Sequence, residues 1–485
     1  MFPLLNTAAP NGFRGRLTLP SAFIWSFVAV SAFHLAYFVP RLSWMIVVYL
    51  FCLTSLIRLA SSRQAFYFGF GVGFMAFAPH LLCFYTIFGL AAVPLWAILA
   101  FWNGIFLLMA WLVAARFGMR AGLLLIPVLW TGLEYFRSEL YYLRFAWLTP
   151  GFALSPQLPG FPMHLLGVYG TGFLLVVLVC GVLLAIERRM LIYGGALLAL
   201  GGLAALAPRG AEAPQGSKSH ELRVAGIQME FPVENEIPPR LNDFIKNYPD
   251  AELLVMSEYS LDGPVPDQIL KWCKDNRRYL LIGGKQPVSA TEFRNTAFVV
   301  GPEGKIVFEQ AKSVPIQFFK DGLPAQEQKV WDSPWGKIGI CICYDFSYTR
   351  VVDRLIRMGA QALIVPTMDV VEWGRQQHEL HARVAVVRAA EYRVPVFRLA
   401  SSGISQALDS HGRVLEKTKF ADEWATIAQD MELGEVGSLP LDRWLAPGCV
   451  AATIGVMLML GFSTLKLWRA KLKTGRAISD VEVVA

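Results

Sequence analysis

The stretch GKIGICICYDFSY, residues 336–348, places two cysteines two residues apart at the end of an apolar run, just before an acidic and aromatic turn. A short apolar run bounded by a turn predicts a buried β-strand. Because residues two apart on a strand face the same side, Cys341 and Cys343 are expected to share a face. Of the two cysteines, Cys343 lies closer to the turn. The stretch therefore predicts a sheet with Cys341 as packing and Cys343 exposed at the rim.

Similar strand-like runs recur on both sides of this stretch, with helical patterns between several of them. Strands alternating with helices at this spacing indicate a layered α/β domain whose strands are covered on both faces. The turns PEG (302–304) and SHG (410–412) predict hairpins, so we expect mixed sheets. The predicted strands are 221–228, 251–258, 279–286, 295–301, 305–312, 336–344, 361–367, 394–401 and 405–414, and the predicted helices are 239–247, 266–275, 349–358 and 375–391.

Outside this domain the composition changes to that of a membrane protein. The chain of 485 residues is 55% hydrophobic and 17% charged, and its mean hydropathy is +0.44. Long charge-poor runs approach the ~20 residues that a helix needs to cross hydrocarbon. A soluble chain of this size could not build a hydrophobic core large enough to bury so many apolar runs. We predict eight transmembrane helices at 21–39, 42–57, 66–87, 92–115, 121–136, 165–186, 190–206 and 447–465.

The basic residues of the loops predict how these helices are oriented. Lys and Arg of short loops stay on the cytoplasmic side of a membrane. One set of alternate loops holds only Arg41, Arg137 and Arg144, and the other set holds Arg14, Arg16, Arg58, Arg63, Arg116, Arg120, Arg188, Arg189, Lys466, Arg469, Lys471, Lys473 and Arg476. Both termini are therefore predicted to be cytoplasmic. The α/β domain follows a linker at 207–219 and is expected outside the cytoplasm.

Charge and cysteine usage exclude some classes of function. The net charge of +7 belongs to the loops and the tail, whereas the α/β domain is slightly acidic, so nucleic acid is not expected as a partner. Cysteines are sparse, which makes a disulfide framework improbable. His378 and His381 in HELH lie one helical turn apart, but no further ligand motif accompanies them and no metal is expected.

Three polar residues stand where predicted strands end, namely Glu258 in LLVMSEYS, Lys312 in FEQAKSVP and Cys343 in ICICYDFS. A thiol has a reference pKa near ~8.5 and needs a base or a nearby cation to act as a nucleophile. Glu258 can remove its proton. Lys312 can favour the thiolate and then hold the oxyanion of a tetrahedral intermediate, helped by a backbone N–H beside the cysteine. Together they predict acyl transfer through a thioester.

Glu258, Lys312 and Cys343, in that order and with RLIRMGAQALIVPT after the CYD turn, resemble the Glu-Lys-Cys triad of the nitrilase or carbon-nitrogen hydrolase superfamily. Joined to eight spans, the chain is similar to its membrane-bound members, the apolipoprotein N-acyltransferase family. The resemblance implies an αββα sandwich outside the cytoplasm. It also implies a seven-helix transmembrane region at 1–208, the nitrilase-like domain at 209–444, and a final transmembrane helix with a basic cytoplasmic tail at 445–485.

The chain departs from the family pattern around the triad. A Pro-Glu-Thr tripeptide becomes Ser257, Glu258 and Tyr259, and Cys-Tyr-Glu becomes Cys343, Tyr344 and Asp345. A Leu-Val-Pro-Phe-Gly-Glu run becomes SVPIQFFKDGLP, where Asp321 is the nearest acidic counterpart. An Asn-Asp-Ala-Trp-Phe-Gly turn is partly kept as TMDVVEWG. Tyr344, Asp345 and Asp321 are therefore expected to support the triad, and either Asp321 or Asp345 supports Lys312.

The resemblance implies an enzyme of the bacterial inner membrane. It would move an acyl chain from a phospholipid, through a Cys343 thioester, to the N-terminal amine of an S-diacylglyceryl-cysteine lipoprotein. Its partners are then a phospholipid donor and a diacylated apolipoprotein acceptor, and no cofactor is required. Two alternatives stay open at this point: a diverged membrane-bound amidase or acyltransferase with another amine acceptor, and an inactive lipoprotein-binding paralogue.

Overall fold

The computed structural model describes residues 16–155, 162–187, 220–421 and 424–474. The described residues form two compact units. One unit is helical and contains the described chain up to residue 187 and again from Leu441 onward. A short piece that ends at Leu165 is assigned to the other unit. The other is an α/β unit that continues to Pro440.

The helical unit is built from apolar helices. Its helices are α1 Leu19–Phe38, α2 Met45–Ser55, α3 Ser62–Phe77, α4 Cys83–Phe88, α5 Ala92–Phe117, α6 Met119–Tyr135, α7 Pro150–Ala153, α8 Met163–Glu187 and, after the α/β unit, α13 Asp442–Thr474. A π-helical turn, Phe136–Leu140, continues α6.

In the described part of the chain, four helical segments are long and apolar enough to cross a membrane: Leu19–Phe38, Cys83–Phe117, Met163–Ile186 and Asp442–Phe462. Other predicted spans appear as shorter helices, of 11 residues in α2, 16 in α3 and 17 in α6. The predicted span at 190–206 and the linker at 207–219 lie outside the described residues. A total of eight spans stays a prediction.

Helix α8 is interrupted at Gly167, which has a φ of 73°. Asp442, at the start of α13, closes this interruption because its Oδ2 accepts hydrogen bonds from the backbone N–H groups of Tyr169 (2.9 Å) and Gly170 (3.4 Å). A carboxylate placed there satisfies the free N–H groups of a restarting helix. A Cβ at Gly167 would lie 2.1 Å from Asp442 Oδ2, so only glycine fits.

The α/β unit contains two six-stranded mixed sheets. The first has the order β12-β1-β2-β3-β4-β5 and the second β11-β10-β9-β8-β7-β6. Each has two parallel pairings in its interior and antiparallel pairings beside them. The strands are β1 His220–Ile227, β2 Leu253–Val255, β3 Tyr279–Pro287, β4 Phe293–Val300, β5 Ile306–Ala311, β6 Val330–Ser333, β7 Gly336–Ile340, β8 Ala362–Thr367, β9 Val396–Ala400, β10 Gln406–Leu408, β11 Val414–Lys417 and β12 Thr426–Leu433.

Apolar side chains from both sheets meet in one core, which includes Val224 and Val255 of the first sheet and Ile340 and Ile364 of the second. Helices cover the outer faces, with α9 and α10 on the first sheet and α11 and α12 on the second. These helices are α9 Ile237–Asn247, α10 Asp267–Asn276, α11 Thr349–Arg357 and α12 Arg375–Tyr392. The prediction of a layered, mixed α/β domain is confirmed.

Two strands and several boundaries differ from the predictions; β2, for example, ends at Val255 rather than at residue 258. Strands β6 and β12 were not predicted; β12 has the sequence TIAQDMEL, whose polar residues hide the apolar alternation. Strand β7 ends at Ile340 rather than at residue 344. A 3-10 turn, Cys343–Ser347, follows, and Cys343 has a φ of 51°. The strand alternation that would place Cys341 and Cys343 on one face therefore does not extend to Cys343.

Candidate active site

The three residues singled out in the sequence come from three different strand ends and meet inside the α/β unit. Glu258 follows β2, Lys312 directly follows β5, and Cys343 follows β7 of the other sheet. Their exposed fractions are only 2%, 1% and 2%. A buried carboxylate and a buried ammonium are stable only when paired and hydrogen-bonded, so this grouping requires a complete set of partners.

Glu258 is held through both of its carboxylate oxygens. Lys312 Nζ lies 2.9 Å from Oε1, and Asn295 Nδ2 donates to the same oxygen at 2.6 Å. The other oxygen, Oε2, accepts the backbone N–H of Met368 at 2.8 Å. Strand β3 lies so close that a Cβ at Gly283 would be 2.6 Å from the Glu258 Cα. The position of Glu258 is thus fixed by its backbone and by its carboxylate.

Asp321 supplies a second carboxylate to Lys312. Its Oδ2 lies 2.7 Å from Lys312 Nζ and also accepts the backbone N–H of Ile316 at 2.7 Å. Its Oδ1 accepts from Asn295 Nδ2 at 2.9 Å and from Tyr259 Oη at 2.8 Å. Lys312 therefore lies between two carboxylates, and Asn295 bridges the same two carboxylates.

Asp345 has a different role from Asp321. It accepts the backbone N–H groups of Ser313 (2.8 Å) and Val314 (2.6 Å), so it fixes the main chain just after Lys312. Burial raises its pKa to about 7, although these N–H groups and the Lys312 ammonium lower it. Tyr344 packs edge-on against Tyr348, with ring centroids 5.1 Å apart. Of the two acids considered for Lys312, Asp321 is the one that contacts its ammonium.

The Cys343 thiol contacts the same Met368 peptide that holds Glu258, because Sγ lies 3.7 Å from the Met368 carbonyl oxygen. The positive φ of Cys343 is unfavourable for a residue with a side chain and marks a tight turn at the strand end. Arg388 supports that turn, since Nε donates to the Phe346 carbonyl oxygen at 3.1 Å and Nη2 to that of Ser347 at 2.6 Å. Arg388 is fully buried and also pairs with Glu391.

The pKa values of the central groups follow from burial and neighbouring charge. Burial raises the pKa of the Cys343 thiol well above its ordinary value, Glu258 raises it further, and Lys312 partly offsets both. Burial also raises the pKa of Glu258, although Lys312 and Asn295 lower it. Burial alone would lower the pKa of Lys312, but Glu258 and Asp321 outweigh burial and raise it. At neutral pH the site therefore presents a thiol, which needs a base, beside an ammonium.

Sequence reasoning did not single out Asn295 or Met368. Asn295 belongs to the stretch RNTAFVVG, where an amide in a strand is not distinctive. Met368 acts through its peptide group, which every residue carries. Its side chain gives no signal of that contact.

The two histidines of HELH have protein partners. His378 Nε2 lies 2.9 Å from the Val370 carbonyl oxygen, and His381 Nδ1 lies 2.8 Å from Asp369 Oδ1. Across the described ranges, no group of three or more His, Cys, Asp or Glu side chains is arranged to hold a metal ion.

Two sequence comparisons agree with this architecture. Residues 234–440 match the family model of carbon-nitrogen hydrolases, which defines the α/β unit as a nitrilase-like domain. Residues 21–181 match the apolipoprotein N-acyltransferase N-terminal domain. Together, the two matches support an apolipoprotein N-acyltransferase architecture within the nitrilase superfamily.

Individual relatives include two apolipoprotein N-acyltransferases and an omega-amidase. An apolipoprotein N-acyltransferase from Geobacter metallireducens is 25% identical, over 77% of this chain and 82% of the relative. Another from Bdellovibrio bacteriovorus is 25% identical, over 37% of this chain and 40% of the relative. An omega-amidase from Mus musculus is 24% identical, over 37% of this chain and 70% of the relative.

Proposed function

We propose that this protein is an N-acyltransferase that moves a fatty acyl chain from a membrane phospholipid to the N-terminal amine of S-diacylglyceryl-cysteine lipoproteins. The observation that carries the proposal is a buried Cys-Glu-Lys arrangement in a chain that also contains long apolar helices. A thioester needs no metal or organic cofactor. Similarity to the acyltransferase family supports the choice of substrates.

In the first half-reaction, Cys343 Sγ attacks the ester carbonyl carbon of the phospholipid. Glu258 accepts the thiol proton, and the Lys312 ammonium stabilises the negative charge that develops on the carbonyl oxygen. The tetrahedral intermediate then collapses with cleavage of the C–O bond. The lysophospholipid leaves as an alcohol after taking the proton from Glu258, and the acyl chain remains on Cys343.

In the second half-reaction, the lipoprotein amine attacks the thioester carbonyl carbon. Glu258 accepts a proton from the attacking nitrogen, and the C–S bond breaks. Cys343 leaves as a thiolate beside Lys312 and recovers its proton from Glu258. Asp321 and Asn295 keep the ammonium and the base in place through both steps, and Asp345 and Tyr344 support the adjoining turns.

Both substrates are anchored in a bilayer, which suits a chain with membrane helices. Large apolar side chains are exposed on α1 and α13, for example Phe27 (74%) and Trp444 (85%). Such faces are favourable in lipid and unfavourable in water. The protein is thus proposed as a multi-pass protein of the bacterial inner membrane with eight spans. We also propose a division at residues 208 and 444, with the α/β unit on the periplasmic side because the loops rich in Lys and Arg are expected in the cytoplasm.

Complementation of an acyltransferase-depleted strain tests the proposal, with lipoprotein N-termini examined by mass spectrometry. The wild-type chain and Cys341→Ala are expected to restore triacylated N-termini, and Cys343→Ala is expected to fail. Purified wild-type protein incubated with phospholipid should accumulate an acyl group on Cys343. Restoration by Cys343→Ala would overturn the proposed nucleophile.

A membrane-bound amidase is the second candidate, favoured by the match of 37% of this chain to an omega-amidase. The same thioester would then pass its acyl group to water. Release of ammonia from small amides by the purified protein, without any acylation of lipoprotein peptides, would favour this candidate. An inactive paralogue would form no thioester with either class of substrate.

A further inference from the structure

The loop after β8 contacts the base and the thiol through a single residue. The Met368 N–H donates to Glu258 Oε2 at 2.8 Å, and the Met368 carbonyl oxygen lies 3.7 Å from Cys343 Sγ. One peptide segment therefore sets the separation between Glu258 and Cys343. A main-chain group cannot orient itself, so neighbouring groups must hold this segment in place.

The residue that follows, Asp369, is fully buried and held on both carboxylate oxygens. His381 Nδ1 lies 2.8 Å from Oδ1, and Gln377 Nε2 donates to the same oxygen at 3.1 Å. Arg398 Nη2 pairs with Oδ2. His381 and Gln377 belong to α12 and Arg398 to β9, so the side chain of Asp369 joins the loop to two rigid elements.

The main chain of Asp369 is fixed as well. Its N–H donates to Ser401 Oγ at 3.1 Å, and its carbonyl oxygen accepts from Ser401 Oγ at 3.0 Å and Ser402 Oγ at 2.8 Å. Side chain and backbone of one residue are thus both anchored. The peptide just before it consequently has little freedom to move.

We infer that Asp369 is a positioning residue, which acts with His381 and Arg398 to hold the Met368 segment so that Glu258 and Cys343 keep a productive separation. The inference rests on the catalytic roles proposed above for Glu258 and Cys343. It assigns to Asp369 no contact with substrate. A displacement of about 1 Å at such a site can lower a rate by about 100-fold.

Alkylation of Cys343 by iodoacetamide tests this inference without using lipid substrates. The sulfur forms a C–S bond, iodide leaves, and Glu258 takes the thiol proton, so the rate depends on the Glu258–Cys343 pair. Charged or titratable groups surround Glu258, namely Lys312, Asp321 and Tyr259. Others surround the segment that follows Met368, namely His378, His381, Arg398 and, through Ser402, Glu230. Rates are measured against pH on the full chain in detergent, with the modified peptide identified by mass spectrometry.

Asp369→Asn and His381→Leu are expected to lower the plateau rate, by about 10-fold to 100-fold for the first, and to shift the rise in rate to higher pH. The shift arises because a displaced Met368 N–H no longer stabilises the Glu258 carboxylate, whose pKa then rises further. Asp353→Asn is the matched control, since Asp353 is also buried but bonds to Tyr392. It should leave the profile unchanged.

Two results would overturn the inference. One is an unchanged plateau with a profile shifted to lower pH in Asp369→Asn, because loss of a nearby negative charge alone lowers the pKa of Cys343. The other is an equal loss of rate in the Asp353→Asn control. If Asp369→Asn does not fold, the pH profile of alkylation in His381→Leu tests the inference instead, because this variant keeps the negative charge of Asp369. Failure of acyl transfer to lipoproteins, with these alkylation results intact, would refute only the substrates proposed above.

Discussion

The ammonium nitrogen of Lys312 lies 2.7 Å from Oδ2 of Asp321, an acid that stands nine residues further along the chain. Asp345, the other acid considered for this role, holds the backbone of Ser313 and Val314 instead. The loop after Lys312 therefore provides a second carboxylate for its ammonium, in addition to Glu258.

Replacing Asp321 by asparagine is expected to lower kcat/KM by about 100-fold, in the range seen when one charge-stabilising group is removed from an active site. Four donors point at the Asp321 carboxylate, and an asparagine would turn its own amide hydrogens toward some of them. The steady-state rate of acyl transfer measures the effect. Asp262→Asn serves as the control, because that side chain is 89% exposed, and it should behave as wild type.

Asn295→Leu is expected to move the acidic limb of the pH–rate profile to higher pH. Asn295 donates to Glu258 Oε1 and lowers the pKa of that buried carboxyl, so its loss raises the pKa and delays formation of the base as pH increases. The pH dependence of kcat/KM for wild type and variant provides the measurement. A limb that stays in place, or moves to lower pH, would contradict a role for Asn295 in tuning Glu258.

Gly283→Ala is expected to lower activity and to destabilise the α/β unit by about 1–3 kcal/mol, the usual cost of overpacking. The new Cβ would lie 2.6 Å from both the Glu258 Cα and the Ser257 carbonyl oxygen. Gly263→Ala is a matched control, because a Cβ there meets nothing within 4 Å. Thermal unfolding and initial rates of both variants separate a displaced base from a general loss of stability.

In the helical unit, Gly167→Ala is expected to cost about 1–3 kcal/mol, because alanine is strained at positive φ and its Cβ collides with Asp442. Asp442→Asn should cost less, since both N–H groups donate to the single oxygen Oδ2, whose place an amide oxygen can take. Gly455→Ala, where a Cβ meets nothing within 4 Å, should be neutral. Thermal unfolding in detergent gives the ranking, and equal melting temperatures for Gly167→Ala and Gly455→Ala would refute it.

Much of the fold could be predicted because it depends on patterns of apolar residues. Continuous runs such as YLLIGGKQ and QALIVPT are buried strands, and both predicted hairpin turns join antiparallel neighbours. Strand β12 was not predicted because it lies at a sheet edge, where its apolar residues are mixed with polar ones. Short loops have a similar composition. The end of β7 was misplaced because a positive φ at a cysteine has no signature in composition.

The site could be predicted from the sequence only at residues whose side chains are reactive or charged. Glu258, Lys312 and Cys343 stood out as an acid, a cation and a thiol at strand ends, and the structure brings these three together. The choice between Asp321 and Asp345 depended on which side chain reaches an ammonium, a distance that spacing along the chain does not determine.

The contacts of Met368 are made by main-chain atoms, so they depend little on which side chain stands at this position. Almost any amino acid could stand at this place in a descendant of the protein and still present the same N–H and carbonyl to Glu258 and Cys343. Proline is the exception, since it carries no N–H. Evolutionary drift at position 368 would then conceal a constraint that only proline would reveal.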